Sequence, residues 1–158
     1  MPPMISNRSS FNLYQFQRQA MPVLLGWALG SIVTGLFWRR NPSRRLQGMG
    51  GQFIAWGLVD GIIALLALAG ARRKAAAWQA GQVTPRQHSQ EADQFEKIVW
   101  ANAALDVCYV LGGRWWQRRH PDDPARQGMG LGVIVQGAFL LVWDILLALA
   151  VGRRRHGA

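Results

Sequence analysis

Cysteine and histidine are scarce in this 158-residue chain. The single cysteine, Cys108, excludes an intrachain disulfide. The three histidines all lie in polar segments, and the sequence contains no Cys/His spacing typical of a metal or haem site. We therefore predict that the protein has no metal ion and no cofactor.

Charge is also scarce, because charged residues make up 16% of the chain and hydrophobic residues 50%. The charges occur in short clusters separated by long stretches with almost none, whereas a soluble helical domain keeps one face of every helix polar. The net charge of +10 comes largely from arginines at the ends of the apolar stretches, where lipid headgroups would surround them. This pattern predicts the lipid bilayer as a partner and argues against nucleic-acid binding.

Four apolar segments follow one another along the chain. Each approaches the ~20 residues that an α-helix needs to cross a hydrocarbon core of ~30 Å, and in lipid a helix satisfies its own backbone hydrogen bonds. The third segment contains both Asp106 and Arg114. The predicted spans are residues 21–38, 48–71, 98–116 and 128–152. The predicted fold class is therefore all-α, a membrane four-helix bundle.

Short motifs predict where helices begin and which helix surface packs closely. Asn41-Pro42, Thr84-Pro85 and Asp123-Pro124 each place a capping side chain before a proline suited to the first helical position. In the first span, Gly26-x-x-x-Gly30 and the small residues that follow it predict a close-packing surface.

The two halves of the chain repeat one pattern. Residues 47–50, Gln-Gly-Met-Gly, recur as residues 127–130. Gln52 lies eight residues before Asp60, and Gln136 lies eight residues before Asp144. Because each copy contains two spans, both copies face the same way, and their symmetry axis should run parallel to the membrane normal.

This repeat predicts two tandem helical hairpins in one membrane domain, residues 1–158. The hairpins occupy about residues 11–71 and 85–152, joined by a connecting loop at 72–84 and followed by a basic C-terminal tail at 153–158. Ten Lys and Arg residues fall on the side of the termini and eight on the other, so the positive-inside rule does not decide the orientation. We expect both termini in the cytoplasm, since an even number of spans commonly has this arrangement; insertion in both orientations stays open.

Three carboxyl groups lie within the predicted spans, on Asp60, Asp106 and Asp144. A charged carboxylate near the bilayer centre costs roughly 2.5–3.5 kcal/mol on insertion scales, so such residues commonly have a function. The spans contain no Lys, Arg or His at matching depth to pair with them. Polar neighbours at helical spacing complete a candidate intramembrane site: Asp60, Asn102, Asp106, Tyr109, Gln136, Asp144 and Gln52.

Two functions are compatible with these residues. Buried polar side chains can simply hydrogen-bond between helices, and together with the small size and packing glycines this favours a non-catalytic accessory or assembly subunit, in a homo-oligomer or a larger membrane complex. Alternatively, intramembrane aspartates are typical of a small proton- or cation-coupled transporter or channel. No phosphate loop, nucleophile dyad or intramembrane protease motif is present, so we predict no catalytic residues and no enzyme activity.

Three segments together resemble an uncharacterised bacterial family of small four-span membrane proteins, a domain of unknown function. They are residues 26–30, Gly-Trp-Ala-Leu-Gly; residues 100–113, which contain Asn102, Asp106 and Tyr109; and residues 136–144, which run from Gln136 to Asp144. The resemblance covers about residues 16–152. It implies that the Asn-x-x-x-Asp-x-x-Tyr and Gln-x7-Asp patterns are family features and that the chain lies in the cell inner membrane, and it names no activity.

Overall fold

The computed structural model describes residues 11–156, with side chains as far as Arg153. This part of the chain forms four α-helices and contains no β-strand: α1 (Leu13–Arg39), α2 (Arg44–Gln79), α3 (Pro85–Arg119) and α4 (Pro124–His156). Residues 1–10 of the predicted domain and 157–158 of its basic tail lie outside the described residues. The predicted all-α class is confirmed.

The first turns of α3 and α4 follow the predicted proline motifs. Thr84 caps α3 in a reciprocal capping box with Gln87, and Pro85 is the first helical residue. Asp123 Oδ1 accepts a hydrogen bond from the backbone N–H of Arg126 at 3.1 Å, and α4 begins at Pro124. Both predictions are confirmed.

The predicted start of α2 is wrong by two residues. The N-cap is Ser43 and the helix begins at Arg44, so Pro42 lies outside it. Asn41 Oδ1 accepts a hydrogen bond from the backbone N–H of Ser43 at 3.0 Å, which is a local turn of the kind that Asn favours.

The connection between the two hairpins is shorter than the predicted loop at 72–84. Residues 72–79 continue α2, and three consecutive alanines at 75–77 are strong helix formers. The helix ends where Gly81 adopts a φ of 69°, with the N–H of Gln82 donating to the carbonyl of Ala77. The connection is therefore residues 80–84.

The helices pair as two hairpins, α1 with α2 and α3 with α4, and α2 packs against α4 to join them. The predicted hairpin architecture is confirmed. Gly48 of α2 lies against the backbone of Ala125, and Gly128 of α4 lies against the backbone of Arg45, so that a Cβ on either glycine would overlap a carbonyl oxygen. The absence of a side chain at these two positions allows the central helices to approach closely.

Equivalent contacts within the hairpins define the register of the repeat. A Cβ on Gly35 would lie 2.6 Å from the carbonyl oxygen of Gly50, and one on Gly113 would lie 2.7 Å from that of Gly130. Residues of α4 therefore follow their α2 counterparts by 80 positions, and residues of α3 follow their α1 counterparts by 78.

The predicted equivalence of the two Gln-x7-Asp patterns is wrong in this register. Gln136 is the counterpart of Trp56, and Asp144 is the counterpart of Ala64. The two patterns are displaced by four residues, about one helical turn. They therefore occupy different levels of the bundle.

The predicted close-packing surface of α1 is only partly correct. Ser31 and Gly35 are buried, but Gly26 and Gly30 are exposed and have no neighbouring atom within 4 Å of a Cβ built on them. The helix turns these two glycines outward because the buried face follows Leu24, Ala28 and Ser31.

Three of the described helices, α1, α2 and α4, are long and apolar enough to cross a membrane. The predicted third span, residues 98–116 of α3, does not meet the same measure, because Asn102, Asp106 and Arg114 interrupt it. Large apolar side chains point outward along the bundle, with Phe37 71%, Leu66 69% and Leu111 64% exposed. These features are consistent with a membrane location.

A carboxylate-lined groove as the candidate functional site

A groove of about 310 Å³ lies between α2 and α3, which contact each other much less than the paired helices do. Residues of α4 and of α1 complete its lining. Three different helices each contribute one carboxyl group, Asp60 from α2, Asp106 from α3 and Asp144 from α4. The groove is therefore the place where the predicted acidic residues meet.

The carboxyl groups of the groove are largely buried. Asp60 and Asp106 are each 3% exposed, and Oδ2 of each is buried without a hydrogen-bond partner among the described residues. Asp144 is half-buried and lies within electrostatic range of both. No Lys, Arg or His belongs to the lining formed by the described residues. The groove thus concentrates acidic groups without a counter-charge.

Asn102 and Tyr109 of the predicted site also line this groove. The ring of Tyr109 packs edge-on against Trp56, with centroids 4.9 Å apart. Trp143 contributes a buried indole Nε1 that has no hydrogen-bond partner within residues 11–156. Neither tryptophan is among the residues predicted for the site, although Trp56 precedes Asp60 by one helical turn and Trp143 directly precedes Asp144.

The two glutamines of the predicted site lie elsewhere. Gln136 is fully buried between α4 and α1, where its Nε2 donates to Ser31 Oγ at 3.0 Å and its Oε1 accepts from Trp27 Nε1 at 2.8 Å. Gln52 lines a separate cavity of about 280 Å³ together with residues such as Gly113. The structure thus brings five of the seven predicted residues together and assigns Gln136 to helix packing.

The register of the repeat explains why a groove exists on this side of the bundle. The contact zone between α1 and α4, here called the closed seam, contains Trp27 stacked on Phe139 with ring centroids 3.7 Å apart. The pseudo-equivalent zone between α2 and α3, the open seam, has Leu105 in place of Trp27 and Val59 in place of Phe139. Both smaller residues line the groove. The groove is therefore the space that the aromatic pair fills in the closed seam.

The acidic residues have apolar counterparts at the equivalent positions of the repeat. Ala28 and Ala64, two of these counterparts, are 0% and 1% exposed and pack tightly. The other half of the repeat thus packs with apolar residues at the positions equivalent to the three aspartates. The pairs are Asp106 with Ala28, Asp144 with Ala64, and Asp60 with Leu140.

The carboxyl groups do not form a metal-coordinating set. Among the side chains that the structure describes, residues 11–153, no group of three or more His, Cys, Asp or Glu is arranged to hold a metal ion. Two ion pairs lie away from the groove: Lys74 with Glu91 at 2.9 Å and Arg126 with Asp123 at 3.3 Å.

A second polar cluster lies at the end of the bundle where α1 begins, outside the predicted spans. His88 Nε2 accepts a hydrogen bond from the backbone N–H of Leu13 at 3.2 Å, so a side chain of α3 caps the first turn of α1. Tyr14 Oη donates to Glu91 Oε2 at 3.0 Å, and Lys74 Nζ donates to the same oxygen at 2.9 Å. Sequence reasoning assigned no role to these residues, because their partners are 17 or more positions away.

Burial shifts the titration of this cluster. Desolvation lowers the pKa of His88, and the nearby negative charge of Glu91 opposes this shift to a smaller extent. Desolvation, followed by the hydrogen bond to Glu91, raises the pKa of Tyr14 to about 12. The neutral forms of both side chains fit their hydrogen bonds, since neutral His88 accepts and neutral Tyr14 donates.

Comparison with known proteins gives a family and no activity. No curated protein and no solved structure matches the chain. A family model matches residues 23–145, a range that includes parts of all four helices and every carboxyl group of the groove. The match covers more than half of the chain, and it confirms the expected relationship to an uncharacterised family. The chain belongs to the family of unknown function DUF6992.

Proposed function

We propose that this chain is a multi-pass integral membrane protein that binds a proton or a cation in the groove between α2 and α3 and couples this binding to transport. The observation that carries the proposal is the convergence of Asp60, Asp106 and Asp144 on one groove. Carboxyl groups that served only to hold helices together would be hydrogen-bonded across helix pairs, as Gln136 is. Oδ2 atoms of Asp60 and Asp106 are instead buried and unpartnered within the described residues.

The membrane location is supported by the length and outward surface of the helices. The four helices contain 27, 36, 35 and 33 residues, so each is longer than the ~20 residues required for a span. Many large apolar side chains are exposed along these helices, and a soluble monomer rarely exposes so many together. The inner membrane as the compartment, and the cytoplasmic position of the termini, are part of the proposal.

We include α3 among the spans, although its composition is less apolar. It is paired with α4, whose sequence is apolar enough to cross, and Gly113 of α3 packs directly on the α4 backbone. Many of its outward positions are apolar, with Ile98 58% and Leu111 64% exposed. Asp106 is buried, and the exposed Asn102 lines the same groove.

The proposed chemistry follows from the cost of burying an unpaired charge. A carboxylate removed from water without a partner is costly, and a bound proton or cation removes that cost. Three carboxyl groups within electrostatic range couple these exchanges, because a proton or cation bound at one group weakens the attraction of the other two for the next one. The groove thus has the elements of a site that exchanges cations or protons, and no group positioned for catalysis is part of the proposal.

Flux measurements with isosteric variants test the proposal. The purified protein is reconstituted into liposomes that contain a pH-sensitive dye, and proton flux is followed under an imposed pH gradient, with and without Na⁺ or K⁺. Asp60→Asn, Asp106→Asn and Asp144→Asn keep the side-chain shape but cannot exchange a proton, so we expect each to lower the flux at least tenfold. Asp122→Asn, in the exposed turn between α3 and α4, is the matched control. Unchanged flux in all three groove variants would contradict the proposal.

The accessory or assembly role is the second candidate, and one observation favours it. Gly26 and Gly30 of α1 face outward with open space beside them, and small residues at this spacing allow a second helix to approach. The fitting partner is a transmembrane helix of a second copy or of a larger complex. Gly26→Leu and Gly30→Leu should then reduce cross-linked oligomers in the native membrane while leaving the monomer folded; unchanged cross-linking would exclude this surface.

A further inference from the structure

We propose that the ligand of the groove is a hydrophobic organic monocation, an amine or quaternary ammonium group on an apolar body, held between the carboxyl groups and the aromatic rings of the open seam. The inference rests on the proposed function because it names the ligand class of the same groove. It also makes a separate claim about recognition, since binding of such a cation can be measured without any flux.

The charge of the ligand follows from the carboxyl groups. Asp60 and Asp106 are 97% buried, yet one oxygen of each has no partner among the described residues. Both residues line the groove, and the described lining contains no basic side chain. A positive group placed in the groove is therefore attracted by all three acidic residues, and no positive group of the described lining competes with it.

The aromatic lining indicates an organic cation. Small inorganic cations need several oxygen ligands to replace their hydration shell, and the described residues hold no metal-coordinating group. Apart from the carboxyl groups, Asn102 and Tyr109 are the side chains of the described lining that contain an oxygen atom. Trp56 and Tyr109 instead present rings at 72° to each other, 4.9 Å apart, and an ammonium group packs favourably over such faces.

The size and opening of the groove fit a ligand that arrives through the lipid. A volume of about 310 Å³ lies at the lower end of small-molecule sites, which begin at roughly 300 Å³. Val59, Ile63 and Ile98 line the groove and are also 49%, 52% and 58% exposed, so its rim is continuous with the outer surface of the bundle. In a membrane this rim contacts lipid, so the apolar part of the ligand can enter the groove directly from the lipid.

Binding of benzyltrimethylammonium tests the inference, with neopentylbenzene as its uncharged carbon isostere. Both are titrated into the purified full chain in detergent, and binding is followed by calorimetry and by the fluorescence of the tryptophans. We expect the cation to bind at least tenfold more tightly than the isostere. We expect Asp60→Asn and Asp106→Asn to reduce that affinity at least tenfold, and Asp122→Asn to leave it unchanged.

A double variant tests the location of the site without altering any carboxyl group. Val59→Phe with Leu105→Trp places at the equivalent positions of the open seam the aromatic pair that packs in the closed seam. We expect the variant to stay folded, by circular dichroism and gel filtration, and to lose at least tenfold in affinity. If it unfolds, the two isosteric asparagine variants still locate the site.

The outcomes separate this inference from the proposed function. Equal affinity for the cation and the isostere, or cation affinity that none of the groove variants changes, would overturn the inference. Aspartate-dependent proton or Na⁺ flux without binding of benzyltrimethylammonium at millimolar concentration would also overturn it and leave the proposed function standing. Groove-dependent binding without any flux would support the inference and contradict the proposed function.

Discussion

The side-chain amide of Gln136 donates a hydrogen bond to Ser31 Oγ at 3.0 Å across the closed seam, and both residues are buried. The same amide accepts a hydrogen bond from the indole of Trp27, so one residue of α4 satisfies two polar groups of α1. The counterpart of this contact in the open seam is Trp56 against Tyr109, which is an aromatic contact beside a groove. Equivalent positions of the repeat thus form a packing contact in the closed seam and line a candidate binding site in the open seam.

Replacing Gln136 by Leu should destabilise the protein by about 1–2 kcal/mol, because it leaves Trp27 Nε1 and Ser31 Oγ without their partner in a buried place. Unfolding in mixed micelles measures the change. Gln52→Leu is the matched control, since Gln52 lines a cavity and should cost less than half as much. Equal losses in the two variants would show that the closed seam does not depend on this hydrogen bond.

Asp106→Ala and Asp144→Ala should not destabilise the fold. The equivalent positions in the other half of the repeat are already alanines, Ala28 and Ala64. Removing an unpaired buried carboxyl group should raise the free energy of unfolding by about 1–3 kcal/mol. The same variants should lose flux in the liposome assay. A loss of stability in both variants would show instead that these carboxyl groups hold the bundle together.

The sequence was sufficient to predict the four helices and their pairing. Nearly uncharged stretches bounded by arginine clusters define the elements, and short turns between them leave antiparallel packing as the simple arrangement. Thr84 and Asp123 marked two helix starts correctly because capping depends on a few neighbouring residues. The start at Asn41 was wrong because Asn also favours turns outside helices.

The sequence contained two conflicting indications of the repeat's register: the Gln-Gly-Met-Gly motifs at 47–50 and 127–130 have the 80-residue offset that the structure shows, and the two Gln-x7-Asp patterns do not. Gln52 and Gln136 match in type and in their distance to an aspartate, but glycine contacts between helices set the true equivalence one turn away. The sequence also did not show that Gly26 and Gly30 face outward. Helical periodicity indicates which residues share one face of a helix, but not whether that face packs against a neighbouring helix. The groove depends on Val59 and Leu105 being smaller than their counterparts, which only the paired seams reveal.

Adding one methyl group at the contact of the central helices should be strongly destabilising. Gly48→Ala and Gly128→Ala each place a Cβ against backbone of the opposite helix, which cannot move aside as a side chain can. We expect each to cost about 1–3 kcal/mol or more. Gly26→Ala and Gly30→Ala are the matched controls, because a Cβ there meets nothing within 4 Å. The controls should be neutral or stabilising by up to about 1 kcal/mol through helix propensity; similar effects at all four glycines would contradict the described packing.

Acidification should weaken the end of the bundle that His88 holds. Because the pKa of His88 in the folded protein lies below its unfolded value of about 6.5, the unfolded state binds the proton more readily. The contribution of His88 is therefore fully present above about pH 6.5 and is lost as the pH falls towards the folded pKa. His88→Gln accepts the same hydrogen bond without titrating, so the difference in unfolding free energy between wild type and variant should change across this window. A constant difference from pH 7.5 to 5 would show that His88 does not titrate with unfolding.

Labelling of single cysteines should show that α3 crosses the membrane. In a Cys108→Ala background, Asn41→Cys, Gln82→Cys and Asp122→Cys report on the three turns that join the helices, residues 40–43, 80–84 and 120–123. If all four helices span, the first and third turns lie on one side and the second on the other. With the termini in the cytoplasm, an impermeant maleimide added to intact cells should label Asn41→Cys and Asp122→Cys, and should label Gln82→Cys only after the membrane is permeabilised. Full labelling of both Gln82→Cys and Asp122→Cys in intact cells, or full protection of both, would place both ends of α3 on one side and contradict its span. Equal partial labelling of all three positions would instead indicate insertion in both orientations.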